Sequence, residues 1–373
     1  SGKRFSPLVP PSSVKHPCNR KRFPRQQRTV ILFLGALCEQ ATSTRNMGKA
    51  KGAGGRQRQP PPSQGSSSNR IATGKQSAGG DGNEEGGQGV APEVAEWFEK
   101  GRIRMMEACE ERNPSIVGDA TKAQEAKQRL AELSQRGSDT KGVSFAGDAL
   151  HHLYFSTKFE RRGILLYRIL AHLLVSSTSS NVKTQGEMAA CGAALRAGIC
   201  RQESGKTELL AVSVGGGPGT DASGLYWANK HFLGFKGTEP AEGREGGRLD
   251  GGLHCVLMDK EKSWRRNLAT LQGIMHPEVT LDFAPCDVGQ ACTSPSNDKA
   301  SADIFAADLI IFAYVSHETS QVARSSDFAF YRGVCKGAKK GAVMLFMDVM
   351  GHSQPLFDEI YLAMRSELGE VNV

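Results

Sequence analysis

The sequence predicts an α/β protein built on a doubly wound parallel sheet. Residues 209–214 form an apolar run, LLAVSV, that breaks into the glycine turn GGGPG and continues into a helix-compatible segment containing Asp221. Similar short apolar runs recur further along the chain, and segments of helical periodicity separate them. Strands that alternate with helices favour a parallel sheet covered by helices on both faces.

The first 90 residues predict a disordered basic tail. Residues 48–90 consist mainly of Gly, Ser, Gln, Pro, Arg and Lys, with too little apolar surface to offset the entropy of ordering. Residues 1–46 precede Met47, and we interpret them either as a leader or as upstream sequence that is not part of the native protein. Residues 30–38 resemble the apolar core of a signal peptide, but the scattered cysteines argue against secretion.

Residues 91–184 predict a helical cap. Apolar residues at helical spacing indicate three helices, over 91–112, 119–135 and 145–176. The third contains His151 and His152, which we expect to be packing or surface residues because no carboxylate or thiol follows at metal-ligand spacing.

Residues 185–373 form the region in which predicted strands and helices alternate. The expected helices cover 185–201, 221–231, 262–271, 325–337 and 355–368, and the expected strands cover 209–214, 254–258, 279–283, 308–315 and 342–348. The segment between the third strand and the fourth reads as a polar loop.

Charge and cysteine usage limit the classes of function. The formal net charge is +8, but the basic excess lies in the first 80 residues, where the only acidic residue is Glu39. The nine cysteines form no CxxC pair and no zinc-type cluster with histidine, so we predict no metal site and reduced thiols. We therefore predict an intracellular protein that is cytoplasmic, nuclear or nucleolar. We predict no membrane span, because no apolar run is long enough.

The glycine turn carries the most specific signal. Gly215, Gly217 and Gly219 occupy GxGxG positions, with Gly216 between the first two, and a turn of this kind lets backbone N–H groups approach a nucleotide closely. With the motifs that follow it, residues 185–373 resemble the class I, Rossmann-like S-adenosylmethionine-dependent methyltransferases. The resemblance implies S-adenosyl-L-methionine as cofactor and these four glycines as part of its binding site.

Acidic residues after the next two strands extend the resemblance. Asp259 ends the second strand, where the family's acidic residue accepts hydrogen bonds from both ribose hydroxyls. Asp287 and Val288 follow the third strand, where the resemblance implies contacts with the adenine amino group and a ring nitrogen. The carboxyl ends of parallel strands also form the expected ligand crevice.

Two features of the first motif leave alternatives open. The family often has an acid two positions before the first glycine, where this chain has Ser213, so Asp221 either supplies that carboxylate or caps the following helix. A dinucleotide site fits less well, because the glycine spacing differs from GxGxxG and Asp259 lies 40 residues beyond Gly219.

The resemblance implies a methyltransferase, but the methyl acceptor stays open among RNA, protein and small molecules. His317 and Glu318, in FAYVSHE after the fourth strand, are either general-base candidates or polar residues without a chemical role. The basic tail favours an RNA acceptor of rRNA type and a weak RNA contact. The alternatives are a small-molecule methyltransferase and a non-catalytic binding protein of the same fold.

The family's sheet normally closes with an antiparallel hairpin, and this chain stops shortly after the helix that follows the fifth strand. We therefore expect the C-terminal edge strands to be missing and the catalytic domain to be truncated.

Overall fold

A computed structural model describes residues 30–33, 90–136, 145–176, 186–199, 208–233, 252–275, 277, 279–348 and 354–368. The strands are β1 (Val30–Phe33), β2 (Leu209–Val214), β3 (Leu253–Asp259), β4 (Val279–Pro285), β5 (Leu309–Ala313) and β6 (Val343–Met347). The helices are α1 (Pro92–Arg112), α2 (Ala120–Arg136), α3 (Asp148–Tyr154), α4 (Glu160–Ser176), α5 (Gly186–Ile199), α6 (Thr220–Ala228), α7 (Leu268–Ile274), α8 (Asp298–Ala306), α9 (Val315–Glu318), α10 (Ser320–Ser325), α11 (Ala329–Gly337) and α12 (Gln354–Leu368).

All six strands form one parallel sheet in the order β1-β6-β5-β2-β3-β4. The strand that precedes the glycine turn, β2, therefore lies inside the sheet between β5 and β3. Chain order runs outward in one direction through β3 and β4, and in the other through β5 and β6. The gap between β2 and β5 is thus the point where the direction of winding changes, and a crevice is expected above it.

Helices cover both faces of the sheet, because alternate side chains of each strand point to opposite faces. Leu209 and Ala211 of β2 join a core with α1, α4 and α6, while Val212 and Val214 join a core with α8, α11 and α12. The helices predicted as a cap therefore share their apolar core with one face of the sheet.

The predicted strands and most predicted helices are confirmed, with bounds that differ by a few residues. The long helix expected over 145–176 is interrupted by a π-helical turn at Phe155–Phe159, between α3 and α4. The segment read as a polar loop after β4 contains α8. The chain must cross from β4, at one edge of the sheet, past β3 and β2 to β5, and crossover connections between parallel strands usually contain a helix. The polar exposed side of α8 masked its periodicity.

The predicted tail differs from expectation at one place. Val30–Phe33 forms β1, which pairs in parallel with β6 from Val30 opposite Val343 to Phe33 opposite Phe346. Its run of apolar and β-branched residues suits a strand. Residues 1–29 and 34–89, including the rest of the predicted tail, lie outside the described residues, as do residues 369–373.

Within the described parts of the chain, no helix is long and apolar enough to cross a membrane.

Candidate cofactor and acceptor site

The glycine turn lies at the carboxyl end of β2 and is tightly enclosed. Gly215 and Gly219 have φ angles of +75° and +81°, which glycine adopts without steric cost. A Cβ atom on Gly215 would lie 2.6 Å from the Cβ of Val315, which begins the helix after β5. Gly216 lies against Ser213 of β2. The turn is therefore in direct contact with the segment that contains His317 and Glu318.

Asp259, at the end of β3, lies over the same turn. A Cβ atom on Gly217 would be 2.7 Å from the Asp259 Oδ2 and 2.7 Å from the indole nitrogen of Trp264. The other oxygen, Oδ1, accepts a hydrogen bond from the backbone N–H of Glu261 at 2.8 Å. The pKa of Asp259 is raised to about 7, mainly by burial and also by the nearby carboxylates of Glu318 and Glu261, while hydrogen bonds from the backbone N–H groups of Glu261 and Gly217 oppose the shift.

Asp221 is buried in the first turn of α6, and its carboxylate bonds to Ser213. The Ser213 hydroxyl donates to Asp221 Oδ2 at 2.6 Å, and Gly219 occupies the helix N-cap position. Burial raises the pKa of Asp221 to about 6, while the hydrogen bond from Ser213 and the charge of Arg162 oppose the shift. The family's acidic residue is absent at position 213, but the glycine turn places the carboxylate of Asp221 next to Ser213.

Asp287 and Val288 follow β4, next to Asp259. The N–H of Cys286 bonds to the carbonyl of Asp259, so the two strand ends remain paired. Asp287 Oδ1 accepts from the N–H of Gly289 at 2.9 Å, and its Oδ2 lies 3.2 Å from Lys260. The Asp287 N–H donates to Asn297 Oδ1, and Val288 is buried. Asp287 is therefore held in a fixed loop whose backbone N–H and carboxylate already have protein partners.

His317 makes a two-point contact with Asp348. Its ring Nδ1 forms an ion-pair contact with Asp348 Oδ1, and its backbone N–H donates to Asp348 Oδ2 at 2.9 Å. The Asp348 side chain is 0% exposed, whereas that of His317 is 24% exposed. Burial lowers the pKa of His317, but hydrogen bonding and charge from Asp348 more than offset this, so its pKa lies above the ordinary value.

Arg162 of α4 crosses from the helical layer to these strand ends. Its guanidinium lies 4.0 Å from the ring centre of Tyr314 and donates to the Tyr154 hydroxyl at 2.7 Å. Arg162 also acts on Glu318, whose pKa burial raises and whose largest opposing influence is this positive charge. Tyr314 has a φ of 62°, a sparsely populated conformation for a non-glycine residue, at the junction of β5 and α9.

Trp264 and His151 close the site on the β3 side. Their rings stack with centroids 3.9 Å apart, and Trp264 is 2% exposed. His151 is 0% exposed and bonds to Asn267, while burial lowers its pKa to about 4. His152 pairs with Glu110 at 2.8 Å. Both histidines thus have the packing and surface roles that the sequence indicates.

No family model, curated protein or solved structure matches this chain. The site is therefore interpreted from its own geometry. Among the described residues, no group of three or more His, Cys, Asp and Glu side chains is arranged to hold a metal ion. An open groove of about 610 Å³ beside α7 and the start of β4 is lined by Gln272, Met275 and Thr280. It begins at the amino end of β4, away from the glycine turn, and carries no chemistry that we can identify.

The predicted residues fall into two connected groups. The glycines, Asp221 and Asp259 meet at the ends of β2 and β3, with Asp287 and Val288 beside them on β4. Val315, which packs against Gly215, brings the segment with His317 and Glu318 beside the same turn from the side of β5.

Sequence reasoning missed Asp348, Arg162 and Tyr314. Asp348 had a visible signal, since an acid directly follows the apolar run AVMLFM. Arg162 had none, because only tertiary packing brings α4 to the strand ends.

Proposed function

We propose that this chain is an S-adenosylmethionine-dependent methyltransferase, with a Rossmann-like catalytic region over residues 185–373. The observation that carries the proposal is the position of Asp259, a half-buried carboxylate laid directly against Gly217 at neighbouring strand ends. Such a group is well placed to accept hydrogen bonds from the two hydroxyls of a ribose. The order of the five strands β2 to β6 supports the same assignment, because the glycine turn lies at the change of winding direction.

The residues of the site fit this cofactor in charge as well as shape. The carboxylates of Asp221, Asp259 and Glu318 lie around the glycine turn, and burial raises the pKa of each. A ligand that brings hydroxyl donors and positive charge would stabilise the ionised forms of these groups. S-adenosylmethionine has both, since its ribose is a diol and its sulfonium and ammonium groups are cationic.

When bound, this cofactor supplies an activated methyl group, and the protein must orient an acceptor in line with it and exclude water. Gly215, Gly216, Gly217 and Gly219 leave room for close backbone approach. Asp287 and Val288 are proposed to contact the adenine. His317 and Glu318 face the turn from β5 and are the candidates for contact with the acceptor.

The experiment that tests the cofactor assignment is calorimetric titration of the folded chain with S-adenosylmethionine. We expect binding in the wild type and, since hydrogen bonds to a charged group contribute about 1.5–3 kcal/mol, roughly 10- to 100-fold weaker binding for Asp259→Ala. Asp282→Ala is the matched control, because Asp282 pairs with His254 on the solvent side of β3 and β4. A folded wild type that binds no cofactor would remove the enzyme proposal.

An RNA acceptor is proposed from the part of the basic tail over residues 48–89, which lies outside the described residues. We expect the six Lys and Arg residues of 48–89 to contribute to RNA affinity through phosphate contacts. Changing all six to Gln should flatten the salt dependence of binding to a structured RNA while leaving cofactor affinity unchanged. Equal salt dependence in both proteins would favour the small-molecule alternative.

A further inference from the structure

The contact between His317 and Asp348 permits a more specific proposal about the reaction, which rests on the proposed function. Asp348 follows β6 and His317 lies in α9, after β5, so neighbouring parallel strands bring the two side chains together. Asp348 contacts the ring nitrogen Nδ1 and also accepts the backbone N–H of His317. One buried carboxylate therefore holds the backbone of His317 by a hydrogen bond and its ring by an ion-pair contact.

This arrangement assigns different roles to the two ring nitrogens. A carboxylate at Nδ1 stabilises the tautomer that carries its proton there, which makes Nε2 the proton acceptor. Asp348 is fully buried, but the imidazole is 24% exposed, so the ring extends from the interior toward the space above the strand ends. That space borders the glycine turn, because Val315, two residues before His317, packs against Gly215.

Glu318 is less suited to the same task. The charge of Arg162, which is stacked on Tyr314 and bonded to Tyr154, acts on the half-buried carboxylate of Glu318, but no ion pair joins the two side chains. Among the described residues, no side chain holds the Glu318 carboxylate in the way that Asp348 holds His317, so nothing comparable orients it for proton transfer. We therefore assign the proton transfer to His317, and Glu318 acts on the site through its charge.

We propose that His317 accepts a proton from the methyl acceptor, with Asp348 as its positioning residue, and that the acceptor is a hydroxyl or a ring N–H. In the reaction, an acceptor oxygen or nitrogen forms a bond to the methyl carbon. The bond from that carbon to sulfur breaks, and sulfur keeps the electron pair. The proton passes to Nε2 of His317 and then to water. Carboxylates and thioethers, which have no proton to lose in methylation, fall outside this class.

The charged groups around His317 come from several elements. Asp348 follows β6, Glu318 lies on α9 and Arg162 lies on α4, and all three act on the imidazole. Lys158 and Arg162 act on Glu318, and Tyr331 of α11 interacts with Asp348. Helix α2, which packs against α9, carries Lys122, Glu125, Lys127, Arg129 and Glu132.

The first test measures the dyad in the full chain without any acceptor. Nuclear magnetic resonance titration of ¹⁵N-labelled histidine should give a pKa for His317 above that of an ordinary histidine, with Nδ1 carrying the proton in the neutral form. Asp348→Asn should lower that pKa and redistribute the tautomers. A His317 signal that titrates identically in wild type and Asp348→Asn would overturn the positioning role.

The second test measures transfer of a tritiated methyl group from S-adenosylmethionine into a size-fractionated extract of the source organism. We expect products whose label resists alkali, as methyl ethers and N-methyl groups do, and a loss of roughly 100-fold or more in His317→Gln. His254→Gln is the matched control, since His254 forms a comparable pair with Asp282 outside the site. In Asp348→Asn, the rise of transfer rate with pH should move to lower pH.

Each alternative result has a distinct meaning. Label released by alkali as methanol would indicate a carboxylate acceptor and overturn the proposal, as would a fully active His317→Gln variant. Cofactor binding without transfer to any fraction would also count against it. Failure to bind the cofactor at all would overturn the proposed function, while the titration of His317 would still report on the dyad.

Discussion

At the residue scale, the site concentrates carboxylates whose charged form is disfavoured by burial. Asp221 and Asp259 each lie next to the glycine turn, and burial raises the pKa to about 6 in the first and about 7 in the second. Fully buried acids are uncommon unless a partner compensates for lost hydration. Asp221, in the first turn of α6, is buried and Asp259, at the end of β3, is half-buried, so both carboxylates lose stability when they ionise. Such perturbed groups fit the proposed ligand site at the glycine turn.

We predict that Asp221→Asn stabilises the free protein at neutral and higher pH. The folded pKa lies about 2 units above that of an unfolded aspartate, so protonation favours the folded state. The ionised Asp221 therefore lowers the free energy of unfolding increasingly as pH rises from about 4. The effect is fully present above about pH 6, where it reaches roughly 3 kcal/mol. An amide oxygen can still accept the Ser213 hydroxyl.

The measurement is urea unfolding at about pH 4.5 and about pH 8, with the gain expected mainly at the higher pH. Asp358→Asn, at an exposed position of α12, serves as the control. Equal stability of Asp221→Asn and wild type at the higher pH would contradict the interpretation. The same variant should bind the proposed cofactor more weakly, since the carboxylate is then lost from the site.

At the element scale, the crossing of α4 and α6 positions Arg162. The two helices approach so closely at Gly163 and Gly224 that a Cβ atom on Gly224 would lie 2.7 Å from the Gly163 carbonyl oxygen. Arg162 immediately precedes Gly163 and contacts Tyr154 and Tyr314. Gly224 therefore allows the close crossing of α4 and α6 that determines the position of the Arg162 guanidinium.

We predict that Gly224→Ala destabilises the protein by about 1–3 kcal/mol, because backbone cannot yield as a flexible side chain can. Since Arg162 moves with α4, its contacts with Tyr154 and Tyr314 should weaken too. Gly273→Ala is the matched control: Gly273 is also helical, but a Cβ atom there would meet nothing within 4 Å. That change should be neutral or stabilising by up to about 1 kcal/mol.

Thermal unfolding of the two alanine variants provides the measurement. A Gly224→Ala protein as stable as Gly273→Ala would show that α4 and α6 can separate without cost.

At the scale of the whole molecule, the sheet acquires its sixth strand from the opposite end of the chain. β1 lies beside β6 and hydrogen-bonds along it in parallel, next to the strand after which the edge strands were expected to be missing. Edge strands left without a neighbour expose unpaired N–H and C=O groups. Residues that precede Met47 therefore contribute to the sheet in this structure.

We predict that the double change Ile31→Pro and Leu32→Pro exposes the edge of β6. Proline removes the N–H that a paired strand needs, so hydrogen exchange at the amides of Val343–Met347 that face β1 should accelerate. A loss of about 1 kcal/mol would lower Tm by roughly 2–4 °C. Ile71→Pro is the control, being an apolar residue outside the paired segment. Unchanged exchange in β6 would argue against this pairing.

The sequence by itself determined the alternation of strands and helices, because buried parallel strands require runs such as LLAVSV and AVMLFM whatever packs against them. It also singled out the glycine turn, Asp221 and Asp259, since a glycine-rich turn and a strand-terminal acid are local features. Two elements were missed for local reasons. The polar exposed face of α8 hid its helical pattern, and β1 lies in the apolar run 30–38, which resembles the core of a signal peptide.

Only the tertiary structure decided the rest. The meeting of His317 with Asp348 depends on β5 and β6 being neighbours, and sequence separation gives no measure of that distance. The position of Arg162 depends on the close crossing of α4 and α6. The hydrogen bond that brings the Asp221 carboxylate to Ser213 depends on the path of the glycine turn between them. These contacts join residues that are far apart in the chain or that lie on opposite sides of a turn. Tertiary packing fixes such contacts, whereas local propensity does not.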